Sequence, residues 1–440
     1  MKALTDFMSR LVKNYLPDAF LIALFLTLLT LILGIITTEH GPLEMIGFWG
    51  NGFWVFLAFA MQMALVLITG IVLANTPLVS KFLSAVGAIA KTPTQAYIMT
   101  FLVSAIAYYI NWGLAVVVGA LFAREMARRL KNVDFPFLIA SAYSATVIWH
   151  VGLSGSIPLA VATEGHIVEN LMGIVPTSQT IFAAPNLIIL IVLVITIPIV
   201  LALMSPKERI NELAADHFPE DTDDKSANID KKEMTPAQRW ENSPIITVLA
   251  ALVGLTYVVL HFAGGNGLDL NIINLLFLSA GILMHKTPAK FIAAAKDATS
   301  VVSPIIIQFP LYAGITAMLA SSGMGSAIAA WFASISSGNF NYVLTYWSAG
   351  LLNIFAPSGG GQWGLQGPIQ LEAAINLGLN PARTAMSVAW GDAWTNLIQP
   401  FWALPILAIA KLGIRDIMGY CIVLGVWVGL ITSILMFILY

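Results

Sequence analysis

One carboxylate, Asp392, lies in the central part of an apolar stretch, within Trp390-Gly391-Asp392-Ala393-Trp394-Thr395-Asn396-Leu397-Ile398-Gln399-Pro400. An ionisable side chain in such surroundings is costly and marks a functional position by default. Asp392 can carry a proton or coordinate a small cation; its plainer role is to cap the helix segment that follows. Three other places mix glycine or proline with short polar side chains. They are Asn111-Trp112-Gly113, His150-Val151-Gly152-Leu153-Ser154-Gly155-Ser156-Ile157-Pro158, and Asn353 through Gln362, which holds Pro357-Ser358-Gly359-Gly360-Gly361. Glycine bares backbone amides, and proline removes a helical hydrogen bond. Helix amino termini at such breaks offer N–H groups and partial positive charge to a carboxylate. Freed carbonyls and hydroxyls suit a small cation.

These residues form a candidate set. Asn111, Trp112, Gly113, Ser154, Gly155, Ser156, Asn353, Ser358, Gly359, Gly360, Gly361, Gln362, Thr395 and Asn396 are expected to bind the solute, and Asp392 the coupling ion. No lysine lies in an expected membrane segment, and Arg383 begins an outer arm, so a multiply charged anion would be poorly compensated. A monovalent anion fits better, with Trp112, Trp363, Trp390 and Trp394 available to a short alkyl tail. His150 reads as a proton carrier or, preferably, as a satisfied buried histidine. Gln62 and Gln308 read as helix-to-helix hydrogen bonders, Glu125 as an ion-pair partner of nearby arginines, and Arg383 as an interface anchor. Catalytic residues are not expected: the set has no nucleophile elbow and no His-x-x-x-His pair. Nor does the glycine run match the GxxxxGK[ST] spacing of a phosphate loop. A resident metal or cofactor is not expected either, beyond a coupling Na+ or H+.

The elements that must position these residues are membrane spans. The chain is 58% hydrophobic and 10% charged, against about 25% charged in ordinary globular chains. Residues 298 to 371 run for 74 positions without a charge, far beyond the ~20 apolar residues of one spanning helix. The expected class is an all-α polytopic membrane protein. The single cysteine, Cys421, excludes an internal disulfide and a cysteine-based metal cluster, and no basic cluster invites nucleic acid. The first apolar run, Ala19 to Thr37, exceeds the ~7–15 residues of a signal core and lacks a small-residue cleavage site, so it reads as the first span.

Before it, residues 1–16 place Leu4, Phe7, Met8, Leu11 and Tyr15 on one face of an amphipathic interfacial helix. Simple spans follow at 19–37, 53–75, 186–204, 244–262, 270–285, 300–320 and 418–438, while 136–163 and 382–410 read as spans interrupted midway. Residues 96 to 123 would reach about 42 Å as one helix, longer than the ~30 Å hydrocarbon core. Lys91 precedes them, and Arg124, Arg128, Arg129 and Lys131 follow. Basic flanks at both ends predict a re-entrant hairpin with its tip at Asn111-Trp112-Gly113. Residues 341 to 376 predict a second hairpin, with Ser358 to Gly361 as the loop at its tip. With a cytoplasmic amino terminus, this topology puts 20 of the 21 basic residues on the cytoplasmic side, with Arg383 the exception.

The pattern also repeats. Gln62 precedes Asn75 as Gln308 precedes Ser321, and Asn111 precedes Ser154 much as Asn353 precedes Thr395. The expected divisions are a first transmembrane repeat at 17–204, a cytoplasmic mixed-charge linker at 205–243, an extra linking span at 244–269 and a second repeat at 270–440. An odd offset in spans inverts the second copy. Two inverted repeats, each with a re-entrant hairpin and an interrupted transmembrane helix, are an architecture of secondary transporters.

Several pieces carry a family resemblance across nearly the whole chain. They include Asn51-Gly52-Phe53-Trp54, Asn111-Trp112-Gly113, Phe122-Ala123-Arg124-Glu125, Pro357-Ser358-Gly359-Gly360-Gly361, Gln399-Pro400-Phe401-Trp402-Ala403-Leu404-Pro405 and Arg415-Asp416-Ile417-Met418-Gly419-Tyr420-Cys421. The sequence resembles the bacterial short-chain fatty acid transporter family. That resemblance implies uptake of short-chain monocarboxylates, such as butyrate or acetoacetate, across the bacterial inner membrane. It also implies a remoter similarity to inverted-repeat anion transporters with paired hairpins, elevator-type motion and a homodimeric assembly. The combined expectation is H+ or Na+ symport by alternating access, with the carboxylate substrate and membrane lipid as partners. An anion channel, or a transporter of another small organic anion, is the alternative reading.

Overall fold

A computed structural model describes residues 19–206, 234–299, 302–355 and 359–440. The amphipathic segment at 1–16, most of the 205–243 linker and Ser358 lie outside the described residues. Helices and turns make up the rest, with no strand among the described residues.

Helix α1 (Ala19–Thr37) is wholly uncharged, and α2 (Pro42–Gly52) follows it. The expected span at 53–75 begins with turns, and its helix, α3, covers Leu57–Ala74. A short helix, α4 (Pro77–Gly87), leads to α5 (Pro93–Ile110) and α6 (Trp112–Arg129), which pack on each other as a hairpin. The residues that start these helices are suited to it: proline occupies the first position of α4 and α5, and Thr92 accepts from Gln95 N. Next comes α7 (Phe135–Ser144), capped by Asp134, whose Oδ1 accepts from Phe137 N at 2.8 Å. It tightens into a 3-10 turn (Ala145–Val151), breaks at 152–155 and resumes as α8 (Ser156–Val161). A single turn, α9 (Glu169–Met172), precedes the closing helix α10 (Ala184–Met204).

Beyond the linker stand α11 (Pro236–Glu241), α12 (Pro244–Ala263), α13 (Leu270–His285) and α14 (Pro288–Thr299). The second half then repeats the order of the first. Helix α15 (Ser303–Ser321) turns by 79° into α16 (Met324–Ile335). The hairpin α17 (Asn339–Phe355) and α18 (Gly359–Asn376) follows, then α19 (Pro381–Asn396), α20 (Pro400–Ala410) and α21 (Ile414–Leu439).

The packing repeats along with the order. Helix α5 packs on α6, α7 and α10, as α17 packs on α18, α19 and α21. Helix α6 also packs on α3 and α4, as α18 packs on α15 and α16.

Burial separates centre from periphery. The interrupted segment Phe135–Val161 is 94% buried, whereas α12 is 17% buried and α10 22%. Helix α10 instead exposes Ile191, Ile195, Ile199 and Leu203, and α12 exposes Leu249, Val253 and Val259. An apolar surface of this kind is stable in lipid, and the helices satisfy their own backbone groups. Among the described residues, five segments are long and apolar enough to cross a bilayer, and the bent α15–α16 pair makes a sixth. The chain is a multi-pass membrane protein.

Two expectations about breaks are corrected. Gly359, Gly360 and Gly361 do not form a loop: they open α18. The first turn of a helix has no intrahelical partners for its N–H groups, so the usual cost of glycine is smallest there. The second interruption is also narrower than expected. Helix α19 runs unbroken through Gly391 and Asp392 to Asn396, and the break is confined to Leu397–Gln399. Gly391 is a packing residue rather than a breaker: a Cβ there would lie 2.2 Å from the Tyr346 carbonyl oxygen of α17.

Candidate functional site

Asn111 joins the two arms of the first hairpin. Its extended backbone ends α5, and its Oδ1 accepts from Leu114 N at 3.0 Å to cap α6. Its Nδ2 donates to Val66 O at 3.0 Å, halfway along α3. One residue on, Trp112 N donates to Ser154 Oγ at 2.9 Å. Gly113 sits close against α3, where a Cβ would meet Leu67 O at 2.9 Å. The first break is bound to the same tip: Leu153 N donates to Tyr109 O at 2.6 Å.

The second hairpin meets the break from another direction. A Cβ on Gly359 would lie 2.7 Å from Ser156 Oγ and 2.8 Å from His150 Cε1. One on Gly360 would lie 2.7 Å from the ring of Phe59, which itself sits against Phe309. Only glycine permits this approach of α18 to the 150–156 break. Gly155 is equally constrained, with a virtual Cβ 2.3 Å from His150 O.

A buried side-chain pair links the two interrupted helices, beside the bond from the Tyr143 hydroxyl to Asn396 O. His150 Nε2 and Asp392 Oδ2 stand 3.0 Å apart, and both side chains are buried. Around Asp392, Asn353 Nδ2 lies within hydrogen-bond distance of Asp392 O (2.9 Å), Thr395 Oγ1 (2.9 Å) and Asn396 Oδ1 (2.7 Å). Asn396 Nδ2 reaches Asp392 Oδ2 at 3.4 Å, and Thr395 Oγ1 donates to Gly350 O at 2.9 Å. Each hairpin is therefore bonded to an interrupted helix: Trp112 N donates to Ser154 Oγ, and Asn353 Nδ2 to Thr395 Oγ1.

Several buried atoms in this cluster have no hydrogen-bond partner among the described residues. They are His150 Nδ1, Ser156 Oγ, Asn353 Oδ1 and Asp392 Oδ1. Such atoms cost roughly 1–3 kcal/mol each and call for an explanation. Four within one junction give a polar surface that a solute or ion can satisfy. Among the described residues no lysine or arginine is buried. Arg124 and Arg383 are engaged elsewhere, with Ile409 O and Tyr440 O.

Not every expected site residue faces the junction. Gln362 Nε2 donates to Ala349 O at 2.8 Å and to Gln366 at 3.1 Å, so that amide works within the second hairpin. Trp390 bonds Asn186 Oδ1 at 3.0 Å, and Trp394 bonds Gly425 O at 2.7 Å while stacking on Tyr346. Trp363 packs on Gly367. Of the four tryptophans expected near an alkyl tail, Trp112 is the one that stands with the tip residues. Gln62 bonds across helices to Asn271 at 2.8 Å, whereas Gln308 bonds Tyr312 within its own helix. Glu125 pairs with Arg129 at 2.5 Å.

The main addition to the expected set is His150. Its partner is 242 positions away, and its one local sign is its place at the edge of a glycine–serine break. An imidazole and a carboxylate at this distance can share and pass one proton. Phe59 was not in the expected set either, because nothing local distinguishes it from other span phenylalanines. It lines a cavity of about 90 Å³ together with Gln62, Thr163, Glu164 and His166. Among the described residues there is no group of three His, Cys, Asp or Glu side chains able to hold a metal ion.

A multi-pass, all-helical chain in which two hairpins and two interrupted helices enclose a buried polar junction is a membrane transport protein. Residues 1–439 match the family described as short chain fatty acid transporter. Two provisionally named short-chain fatty acid transporters are similar to it. That of Escherichia coli strain K12 is 40% identical over 98% of both chains, and that of Haemophilus influenzae is 40% identical over 94% of both. The chain belongs to the short-chain fatty acid transporter family. Among solved structures it is similar to the YdaH transporter of Alcanivorax borkumensis, with a TM-score of 0.58 and 16% identity over 96% of this chain and 98% of that one. It is also similar to MtrF of Neisseria gonorrhoeae, from a class of antimetabolite efflux pumps, with a TM-score of 0.50 and 13% identity over 100% and 97%. At these identities the likeness is one of fold.

Proposed function

We propose that the protein moves short-chain monocarboxylates, of the butyrate and acetoacetate class, across the bacterial inner membrane by proton-coupled alternating access. One observation carries this reading. Two hairpin tips and the two interrupted helices meet in a single buried polar junction that has unmatched hydrogen-bonding atoms and, among the described residues, no buried lysine or arginine. The amino-terminal ends of α6 and α18 bring positive dipole ends to a carboxylate. Ser156, Asn353, Thr395 and Asn396 supply the remaining polar contacts. A single negative charge can be accommodated in this way; two or three cannot.

The same geometry supplies a reason for coupling. A substrate carboxylate at this junction stands near Asp392, and two carboxylates cannot share a buried site while both are ionised. A proton held between Asp392 and His150 removes the repulsion, so the anion and the proton bind together. Sodium would serve the same electrostatic purpose, but the imidazole against Asp392 Oδ2 favours the proton. In this reading the hairpins are re-entrant, because Asn111 bonds to the middle of α3 rather than to its end. The repeats at 17–204 and 270–440 are inverted and place the junction near mid-membrane.

Labelled butyrate exchange in proteoliposomes tests the proposal. Wild-type protein should load vesicles by counterflow against internal unlabelled butyrate, above the rate of protein-free vesicles. A steady anion current without exchange would support a channel instead and would count against this reading.

A further inference from the structure

Beside the His150–Asp392 junction lies a cavity of about 20 Å³ walled by Tyr108, Trp112, Trp149 and Trp402. Each wall comes from a different piece of the machinery. Tyr108 is near the end of α5, Trp112 opens α6, Trp149 belongs to the 3-10 turn, and Trp402 lies in the first turn of α20. The rings stand edge to face: Trp112 and Trp149 are 6.2 Å apart at 67°, and Trp112 and Trp402 are 5.5 Å apart at 84°. Thr146 and Asn396 are the polar residues of the lining. Asn396 ties the cavity to Asp392 through its 3.4 Å contact.

Two features mark this cavity as a binding site rather than a packing fault. A buried indole N–H normally finds a partner. Here the Nε1 atoms of both Trp112 and Trp149 are buried without one among the described residues. The lining also mixes a large aromatic surface with a few polar groups, the usual make-up of a site for a small amphipathic molecule.

We infer that this aromatic box is the acyl-chain subsite of the carrier and sets the length of acid it accepts. The inference rests on the transport reading above. Ring faces supply the apolar surface for the tail. Asn396 and the unmatched indole N–H groups add donors for the carboxylate. A volume of about 20 Å³ holds roughly one water, so a tail enters only as the rings part. Each carbon buried strengthens binding until the rings can part no further. Transfer of one methylene from water to an apolar site is worth about fourfold in affinity. Apparent affinity should therefore climb about fourfold per carbon from acetate to butyrate, then fall for hexanoate and octanoate.

The measurement is inhibition of labelled-butyrate counterflow by unlabelled straight-chain acids from two to eight carbons. Trp402→Leu enlarges the box and should move the optimum to longer acids. Val116→Phe, which fills the box from α6, should move it to shorter acids while acetate still competes. Trp149→Phe removes the N–H and the five-membered ring, and should weaken acetate by about fivefold while moving the optimum to longer acids. Trp394→Phe, outside the box, should leave the profile unchanged. An optimum that stays at the same chain length in both Trp402→Leu and Val116→Phe overturns the inference. If instead the wild-type protein exchanges no acid of any length, the transport reading fails first. Should either box variant fail to fold, Val116→Ala decides: it should extend the optimum by about one carbon, and an unmoved optimum refutes the box.

Discussion

Asp392 and His150 form a buried ionisable pair between the two interrupted helices, and each keeps one polar atom unmatched. If their shared proton lets the substrate carboxylate bind, coupling and binding separate on mutation. Asp392→Asn removes the charge while keeping the shape. It should abolish accumulation driven by a pH gradient and leave butyrate-for-butyrate exchange within about threefold of wild type. His150→Gln should act in the same direction. Loss of exchange together with accumulation in Asp392→Asn would indicate a structural role only. Gly360 gives a second test at this scale. A valine there would strike the Phe59 ring, 2.7 Å from the position of its first added carbon. Uptake should be lost while the detergent-purified protein keeps wild-type elution and helix content. Gly360→Val combined with Phe59→Ala should recover part of the uptake, which a general folding defect would not allow.

The junction depends on how closely helices approach one another. Helix α19 touches α17 at Gly391, where any side chain would drive into the Tyr346 carbonyl. Overpacking of this kind typically costs 1–3 kcal/mol, so Gly391→Val should lower the melting temperature measured in detergent by several degrees. Asn111 holds the first tip through a cap and a bond to α3. Asn111→Ala should remove about 1 kcal/mol through the cap alone and should lower both stability and exchange, as read by melting and counterflow. At the element scale the amino-acid sequence was highly informative. Absence of charge over long stretches, basic flanks and the polar interruptions placed α1, α5, α6, α10, α12, α13 and α21 within a few residues. Glycine was the misleading signal. It was read as a helix breaker at Gly359–Gly361 and at Gly391, yet in both places it lets a helix pack closely against a neighbour. Spacing along the chain cannot separate those two uses of glycine; a neighbouring backbone must be seen.

For the whole molecule, the arrangement divides into a buried centre and an apolar periphery. The α7–α8 segment and α19 lie at the centre, while α10 and α12 show apolar side chains to the outside. Both hairpins reach the centre, and the neighbours of each hairpin recur in the other half. The repeat in the sequence spaced Asn111 from Ser154 much as Asn353 from Thr395, and in the structure Trp112 bonds Ser154 while Asn353 bonds Thr395. What could not be anticipated were contacts across the two halves: His150 with Asp392, Gly359 with Ser156, and the aromatic box drawn from four separate elements. In the proposed transport cycle, movement of the hairpins and broken helices against the peripheral helices opens this junction to each side in turn. The decisive measurement is uptake of labelled butyrate into proteoliposomes under an imposed pH gradient, corrected for protein-free vesicles and compared with Asp392→Asn. Accumulation that follows the proton gradient, is indifferent to a sodium gradient and disappears in Asp392→Asn while exchange persists is the expected result. Uptake that ignores the pH gradient, or that is the same in wild type and Asp392→Asn, would contradict a proton-coupled carrier centred on this junction.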